Sequence, residues 1–582
     1  MKRDSIAQSA SGVVDIPAES TAEAYLALLK QRGVDYLYIN AGTDTAPLVE
    51  AYGRASASGL DFPTPIIATH ENLAVGMAHG YTMITGRPQV VMLHVSVGAA
   101  NAVCAVMNAA RSQIPMLFTA GRTPLFEHGK LGSRDNGIHW AQEMFDQAGM
   151  MRELIKWDYE LRDGINVENV VDRALGITQS QPCGPVYLTL PREVMAQKMT
   201  GFKFSAKAPA VPAAPHPDPQ GVQRIANALA GARFPVIACS TSGADPATVP
   251  MLVELADRFG IGVAESRARN INFPSSHALH LGQALEPLLP DIDALLVLES
   301  DVPWFPHKAQ PREDAFVAQA GTDPLFNRYP IRSFRADVSL TTSVAGLLPA
   351  LSAALAAAGA EAHAAERRER LTARALANRH AVEERGAREA ASDGPITKMF
   401  FTRTLDAVRP RDAIIVNEYS ALREHLSLDE PGSYFPNPVS AGLGWGLPAA
   451  LGAQQALPDR TVIAVQGDGA YIFSNPAACH HAAAMHQLPV LTLVFNNARW
   501  GAVHAAAEGL YPGEHAMQHA KQHGTAPLSS LAPMPDFEKY VEASGGYGER
   551  VETRAQLGPA IERALAVVKR ERRQALLNII GK

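Results

Sequence analysis

Short, continuous apolar runs alternate along the chain with longer stretches of helical periodicity, and this alternation recurs three times. In the first third, residues 34–39, 66–68, 90–93, 116–120 and 186–190 read as buried strands, with helices expected over 22–32, 74–84 and 101–111. The second third repeats the pattern as helix 222–230, strand 235–239, helix 249–259 and strand 294–298. The last third offers strands at 413–416, 462–465 and 490–495, with one helix from the turn after 465 to about residue 486. Apolar runs this short, without polar alternation, suit parallel strands covered on both faces. The pattern therefore predicts an α/β protein of three doubly wound parallel-sheet domains, each with its ligand edge at the carboxyl ends of its strands.

The chain of 582 residues is too long for one core, and its composition sets the boundaries. A polar start, 1–18, reads as flexible; domains are expected over 19–195, 220–355 and 395–582. A Pro- and Ala-rich linker (196–219) and a helical linker (356–394) separate them, and the charge run 366–370 reads as a solvated helix face. The connection 121–160 is longer than ordinary and is expected to be a functional or interface segment. Hydrophobic residues at 47% with 19% charged indicate a globular protein, and a net charge of −6 gives no basic surface for nucleic acid. No apolar run reaches membrane-spanning length, so no membrane partner is expected and a cytoplasmic location is. Cys104, Cys183, Cys239 and Cys479 are widely spaced, which fits buried thiols better than disulfides or a zinc site.

Chemistry concentrates where the strand 462–465 meets Gly467-Asp468-Gly469 and the strand 490–495 meets Asn496-Asn497. In a parallel β-α-β unit both strand ends lie on one edge, so Asp468 and Asn497 can meet there. A carboxylate and an amide carbonyl suit Mg²⁺, and the glycines let backbone amides approach a diphosphate. On the first domain's corresponding edge stand Thr69-His70-Glu71 and His94, the latter followed by Gly98 and Asn101.

These motifs together resemble the thiamine diphosphate-dependent superfamily of acetohydroxyacid synthase, benzoylformate decarboxylase and pyruvate decarboxylase. The resemblance implies a first domain that binds the aminopyrimidine, a central domain and a third domain that binds the diphosphate. It makes Asp468, Asn497 and the Arg499 carbonyl Mg²⁺ ligands, and Glu71 the cofactor-activating carboxylate. Glu418, Ser420, Gly442, Leu443, Gly467, Gly469, Ala470, Trp500 and Gly501 are expected around the cofactor, with Leu443 as the apolar wedge under it. His94 lies on a stretch that matches the histidine-bearing loop of benzoylformate decarboxylase and His307 falls near that family's other active-site histidine, so both are expected to move protons. No flavin-binding pattern is found between 263 and 281, so FAD is not expected. The implied activity is decarboxylation of a small 2-oxo acid through an enamine. The alternatives are an acetolactate synthase-like carboligase, a C–C lyase of 2-hydroxyacyl thioesters, or a non-catalytic binding homologue. The family builds its sites between subunits, so a homodimer or homotetramer is expected.

Overall fold

The structure, a computed structural model, describes residues 12–582; of the start expected to be flexible, residues 1–11 lie outside the described residues. β1 (Val13–Ile16) pairs antiparallel with a strand that follows the first sheet. That sheet comprises β2 (Tyr36–Ile39), β3 (Thr64–Ile67), β4 (Gln89–Leu93), β5 (Met116–Arg122), β6 (Asp158–Glu160) and β7 (Pro185–Pro191), and β1's partner is β8 (Phe202–Ser205). Its order is β3-β2-β4-β5-β7-β6, all parallel. The second sheet has β9 (Pro235–Cys239), β10 (Gly262–Ala264), β11 (Ala294–Leu298), β12 (Phe316–Gly321) and β13 (Val338–Thr341), in the order β10-β9-β11-β12-β13. The third has β14 (Ile414–Glu418), β15 (Tyr434–Pro436), β16 (Val462–Gly467), β17 (Leu491–Asn496), β18 (Tyr547–Val551) and β19 (Ala575–Ile580), in the order β15-β14-β16-β17-β19-β18. Both of these sheets are parallel throughout. Three doubly wound parallel sheets are the architecture the hydrophobic pattern predicts.

Strand order places the chemistry. In the first sheet the chain reverses direction of growth between β2 and β4, and in the third between β14 and β16, and such switch points open a crevice beyond the strand ends. The register pairs Ile39 with Met92 and Gly467 with Phe495, so the turns after β2 and β4 are neighbours, as are those after β16 and β17.

The helix expected to run unbroken to residue 486 is two helices, Asp468–Phe473 and Pro476–Met485. Between them Asn475 takes a left-handed φ of +54°, and Pro476 starts the second helix without needing an amide donor. Likewise the stretch after His94, read as a loop, already enters helix Val95–Asn101.

The first and third sheets are joined by helices Glu71–Thr85 and Gly446–Ala456, and one apolar core runs across both. The helices touch through backbone. A Cβ on Gly80 would lie 1.9 Å from the Ala449 carbonyl oxygen, one on Gly452 2.0 Å from that of Met77, and one on Gly76 2.4 Å from Pro448. The second sheet has a core of its own. Among the described residues no single helix is long and apolar enough to cross a membrane.

Candidate active site

Glu71 is the first residue of its helix, behind the N-cap His70, whose Nδ1 accepts from the Asn72 amide at 3.2 Å. The Glu71 side chain is 18% exposed, and its Oε2 accepts a 2.6 Å hydrogen bond from Asn101 Nδ2. Across the same edge, His94 Nδ1 meets Asp44 Oδ1 at 2.5 Å, while Asp44 Oδ2 accepts from the Val95 amide at 3.3 Å. This bond raises the His94 pKa above its ordinary value against the opposing effect of burial, and the Asp44 and Glu71 charges add to the rise. Gln142 Nε2 stands 3.5 Å from His94 Nε2, and the Ser96 hydroxyl donates to the Gln142 carbonyl at 2.8 Å. The long 121–160 connection therefore closes over His94.

On the third sheet, Asp468 begins helix Asp468–Phe473, is 3% exposed, and accepts from the amides of Gly469 (2.8 Å) and Asn497 (3.1 Å). Burial raises its pKa, against backbone amides of Gly469, Ala498, Arg499 and Asn497 that lower it. Asn496 is occupied: its Nδ2 donates to Asn578 Oδ1 at 3.1 Å and its Oδ1 accepts from the Ala498 amide at 3.2 Å. Asn497 has a side chain without such ties among the described residues, and it is the asparagine whose backbone amide donates to Asp468. Arg499 and Trp500 are fixed by backbone pairing with Ser530 and Ser529, and the Trp500 ring covers Gly469, where a Cβ would lie 2.2 Å from it. Ala470 is buried next to Gly469, and Gly501 opens helix Gly501–Leu510. A Cβ on Gly501 would lie 3.8 Å from Asn497 Nδ2.

Glu418, 1% exposed, accepts from the amides of Gly444 (2.8 Å), Trp445 (3.3 Å) and Gly446 (2.8 Å) and from Gln466 Nε2 (2.7 Å). Burial raises its pKa and these four donors oppose the rise. Its carboxyl group thus grips the 442–446 loop rather than presenting a free oxygen. From the first sheet's side Asn108 holds the same loop, through the Gly442 carbonyl at 2.9 Å and amide at 3.1 Å. Leu443 between these anchors is half-buried and belongs to none of the four apolar cores. Ser420 Oγ is buried without a partner and lies 3.5 Å from where a Gly467 Cβ would be.

An orphaned buried hydroxyl, a glycine strand end and a clustered carboxylate and amide are what a diphosphate bound with a hard divalent cation requires. His307 is apart from all this: it is exposed on the loop after β11, with the Phe305 ring 6.0 Å away, and no described contact joins it to Glu71 or His94. Asp44, Asn101, Asn108 and Gln142 were not among the expected site residues. Asp44 sits in a turn that looks ordinary in sequence, and the signal available was that β2 and β4, if adjacent, end side by side.

Three parallel sheets with polar clusters at two switch-point crevices define an α/β protein with candidate ligand sites at the carboxyl ends of its strands. Residues 19–150 match the thiamine pyrophosphate enzyme N-terminal TPP binding domain, and residues 417–579 the C-terminal TPP binding domain. The chain belongs to the thiamine pyrophosphate-dependent enzymes. It is 29% identical over 497 residues to the benzoylformate decarboxylase of Pseudomonas aeruginosa, covering 82% of this chain and 85% of that one. It is 26% identical over 549 residues to a probable acetolactate synthase of Mycobacterium bovis, covering 92% of each. The fold is similar to that of the thiamine diphosphate-dependent 4-hydroxybenzoylformate decarboxylase of Rhodococcus jostii, with a TM-score of 0.77 at 23% identity over 97% of this chain and 99% of that one.

Proposed function

We propose that this enzyme decarboxylates a small 2-oxo acid to an aldehyde, using thiamine diphosphate and Mg²⁺. The observation that carries the reading is the His94–Asp44 pair on the same strand edge as Glu71. A buried aspartate that raises a histidine's pKa favours its proton-donating form, and a donor at the reacting carbon favours release of an aldehyde over addition to a second carbonyl.

Asp468, Asn497 and the Arg499 carbonyl would hold Mg²⁺, and Ser420 with the Gly467–Ala470 turn would receive the diphosphate. The bound cofactor supplies a carbon nucleophile for the 2-oxo carbonyl and a sink for the electron pair left when CO₂ departs. Glu71, through the carboxylate oxygen that Asn101 leaves free, shares a proton with the aminopyrimidine ring. Asn101 fixes the direction of that carboxylate. Leu443, on a loop clamped at both ends by Glu418 and Asn108, supports the cofactor by packing, and Trp500 covers the glycine turn. His94 delivers the proton that completes the aldehyde, and Gln142 limits water around it. His307 is proposed to act from the central domain's loop on the substrate side. The edge that bears Glu71 in one subunit is proposed to meet the Asp468 edge of a second.

A carboligase outcome is the second reading, favoured by the match to a probable acetolactate synthase along 92% of both chains. The test is incubation of the purified enzyme, with thiamine diphosphate and Mg²⁺, with benzoylformate and separately with pyruvate. CO₂, aldehyde and acyloin are measured independently. Aldehyde formed in step with CO₂ supports the proposal, acyloin in its place supports the second reading, and no CO₂ from either acid overturns both.

A further inference from the structure

Lys398 opens helix Lys398–Val408, behind the N-cap Thr397. A cation is at the unfavourable end of a helix dipole there, so its placement calls for a compensating partner. The side chain crosses to the carboxyl edge of the third sheet. Its Nζ donates to the Tyr419 carbonyl at 2.8 Å, just past the end of β14, and lies 5.9 Å from the centre of the Phe495 ring, at the end of β17. β14 and β17 are the two strands that flank β16, whose end carries Gly467 and Asp468. The ammonium is therefore bracketed onto the crevice where Ser420, Asp468 and Asn497 converge.

The surroundings leave that ammonium underused. It makes one hydrogen bond with its three N–H groups and no carboxylate ion pair among the described residues. Burial pushes its pKa down, the Asp468 charge pulls it up and Arg499 pushes it down, so both of those groups are within electrostatic reach. The helix after Gly467 is only six residues long and broken at Asn475, so it offers few aligned peptide dipoles to an anion. A half-buried cation with spare donors thus stands at the edge where the helix dipole contributes little.

We propose that Lys398 is a diphosphate-binding residue, its two free N–H groups pairing with phosphate oxygens of the cofactor beside the divalent-cation clamp. The assignment rests on the reading that the third sheet holds thiamine diphosphate, and it adds a protein cation that bonds the diphosphate directly beside the metal. Retention of the anion then becomes partly independent of Mg²⁺.

Isothermal titration of thiamine diphosphate, and of inorganic pyrophosphate, into wild type, Lys398→Met, Lys398→Gln and Lys398→Arg measures this, once with Mg²⁺ and once with EDTA. Both charge-removing variants are expected to bind thiamine diphosphate about tenfold more weakly with Mg²⁺. In EDTA the wild type keeps measurable pyrophosphate binding that Met and Gln lose and Arg retains. Circular dichroism melts confirm that the variants compared are folded, and the Gln variant, which keeps a donor on a slightly shorter side chain, stands in should Met not fold. Equal affinities of wild type and the neutral variants for both ligands in both buffers would overturn the role of Lys398. A wild type that binds no thiamine diphosphate with Mg²⁺ would instead overturn the cofactor reading of the third sheet, and this assignment with it.

Discussion

A methyl group at position 42 would lie 2.1 Å from His94 Nδ1, and one at position 121 would lie 1.7 Å from Asp44 Oδ2. Two glycines thus make room for an acid–imidazole pair, and the pair controls the charge of His94. Its pKa is raised in the folded enzyme, so the pair stabilises the fold fully below the unfolded histidine value of about 6.5, and this is lost as pH rises through the folded value. Asp44→Asn is expected to move the alkaline limb of the kcat–pH profile to lower pH. Calorimetry of the same variant should show a Tm deficit that is largest below about pH 6.5 and shrinks in more alkaline buffer. For Glu71→Gln, thiamine diphosphate should still bind while proton exchange at the cofactor's C2, followed by NMR in deuterium oxide, slows by roughly 10²–10⁴-fold. Exchange at the wild-type rate would remove Glu71 from the chemistry. Glu71 and Asp468 were legible because each follows a strong apolar run at a strand end. Asp44 was not, because its partner is 50 residues away and the contact exists only once β2 and β4 lie side by side.

At the scale of the element, the joint between helices Glu71–Thr85 and Gly446–Ala456 brings main chain against main chain at Gly80 and Gly452. A side chain placed there has no rotamer to escape into. Gly80→Ala, 1.9 Å from a carbonyl oxygen, should destabilise the protein by about 1–3 kcal/mol in urea unfolding, whereas Gly176→Ala, in open space on helix Val167–Gln179, should not. Several central strands were readable in sequence as unbroken apolar runs, β9 and β11 to the residue, but the central β12 and β19 were not among the expected strands. β18, Tyr-Gly-Glu-Arg-Val, escaped because an edge strand needs only one covered side and tolerates charges. The interrupted helix after Asp468 escaped because helical periodicity continues through Ser474 and Asn475, and what ends it is a left-handed residue followed by proline.

For the whole molecule, the arrangement of three sheets was legible from alternation alone, while the proposed sharing of a site between two copies came only from the family resemblance. Apolar side chains remain exposed around both edges, among them Val97, Trp140 and Phe145 on the segments that carry His94 and Gln142, and Phe473 and Val503 beside Trp500. A second copy burying them would complete the site from two chains. Mixing Glu71→Gln subunits with Asp468→Ala subunits, each inactive alone, and allowing exchange should then restore roughly one quarter of wild-type activity, because half the dimers are hybrids with one intact site. Activity that stays at zero, with hybrids verified by native mass spectrometry, would place both halves of the site in one chain.

The glycine joint also bears on recombination with distant relatives. Because its fit depends on carbonyls meeting bare α-carbons at two points and a proline ring meeting one at a third, neither helix can be exchanged without the other. Gene chimaeras should therefore fold when residues 71–85 and 446–456 come from the same parent and fail when they do not, however well the intervening central sheet is matched.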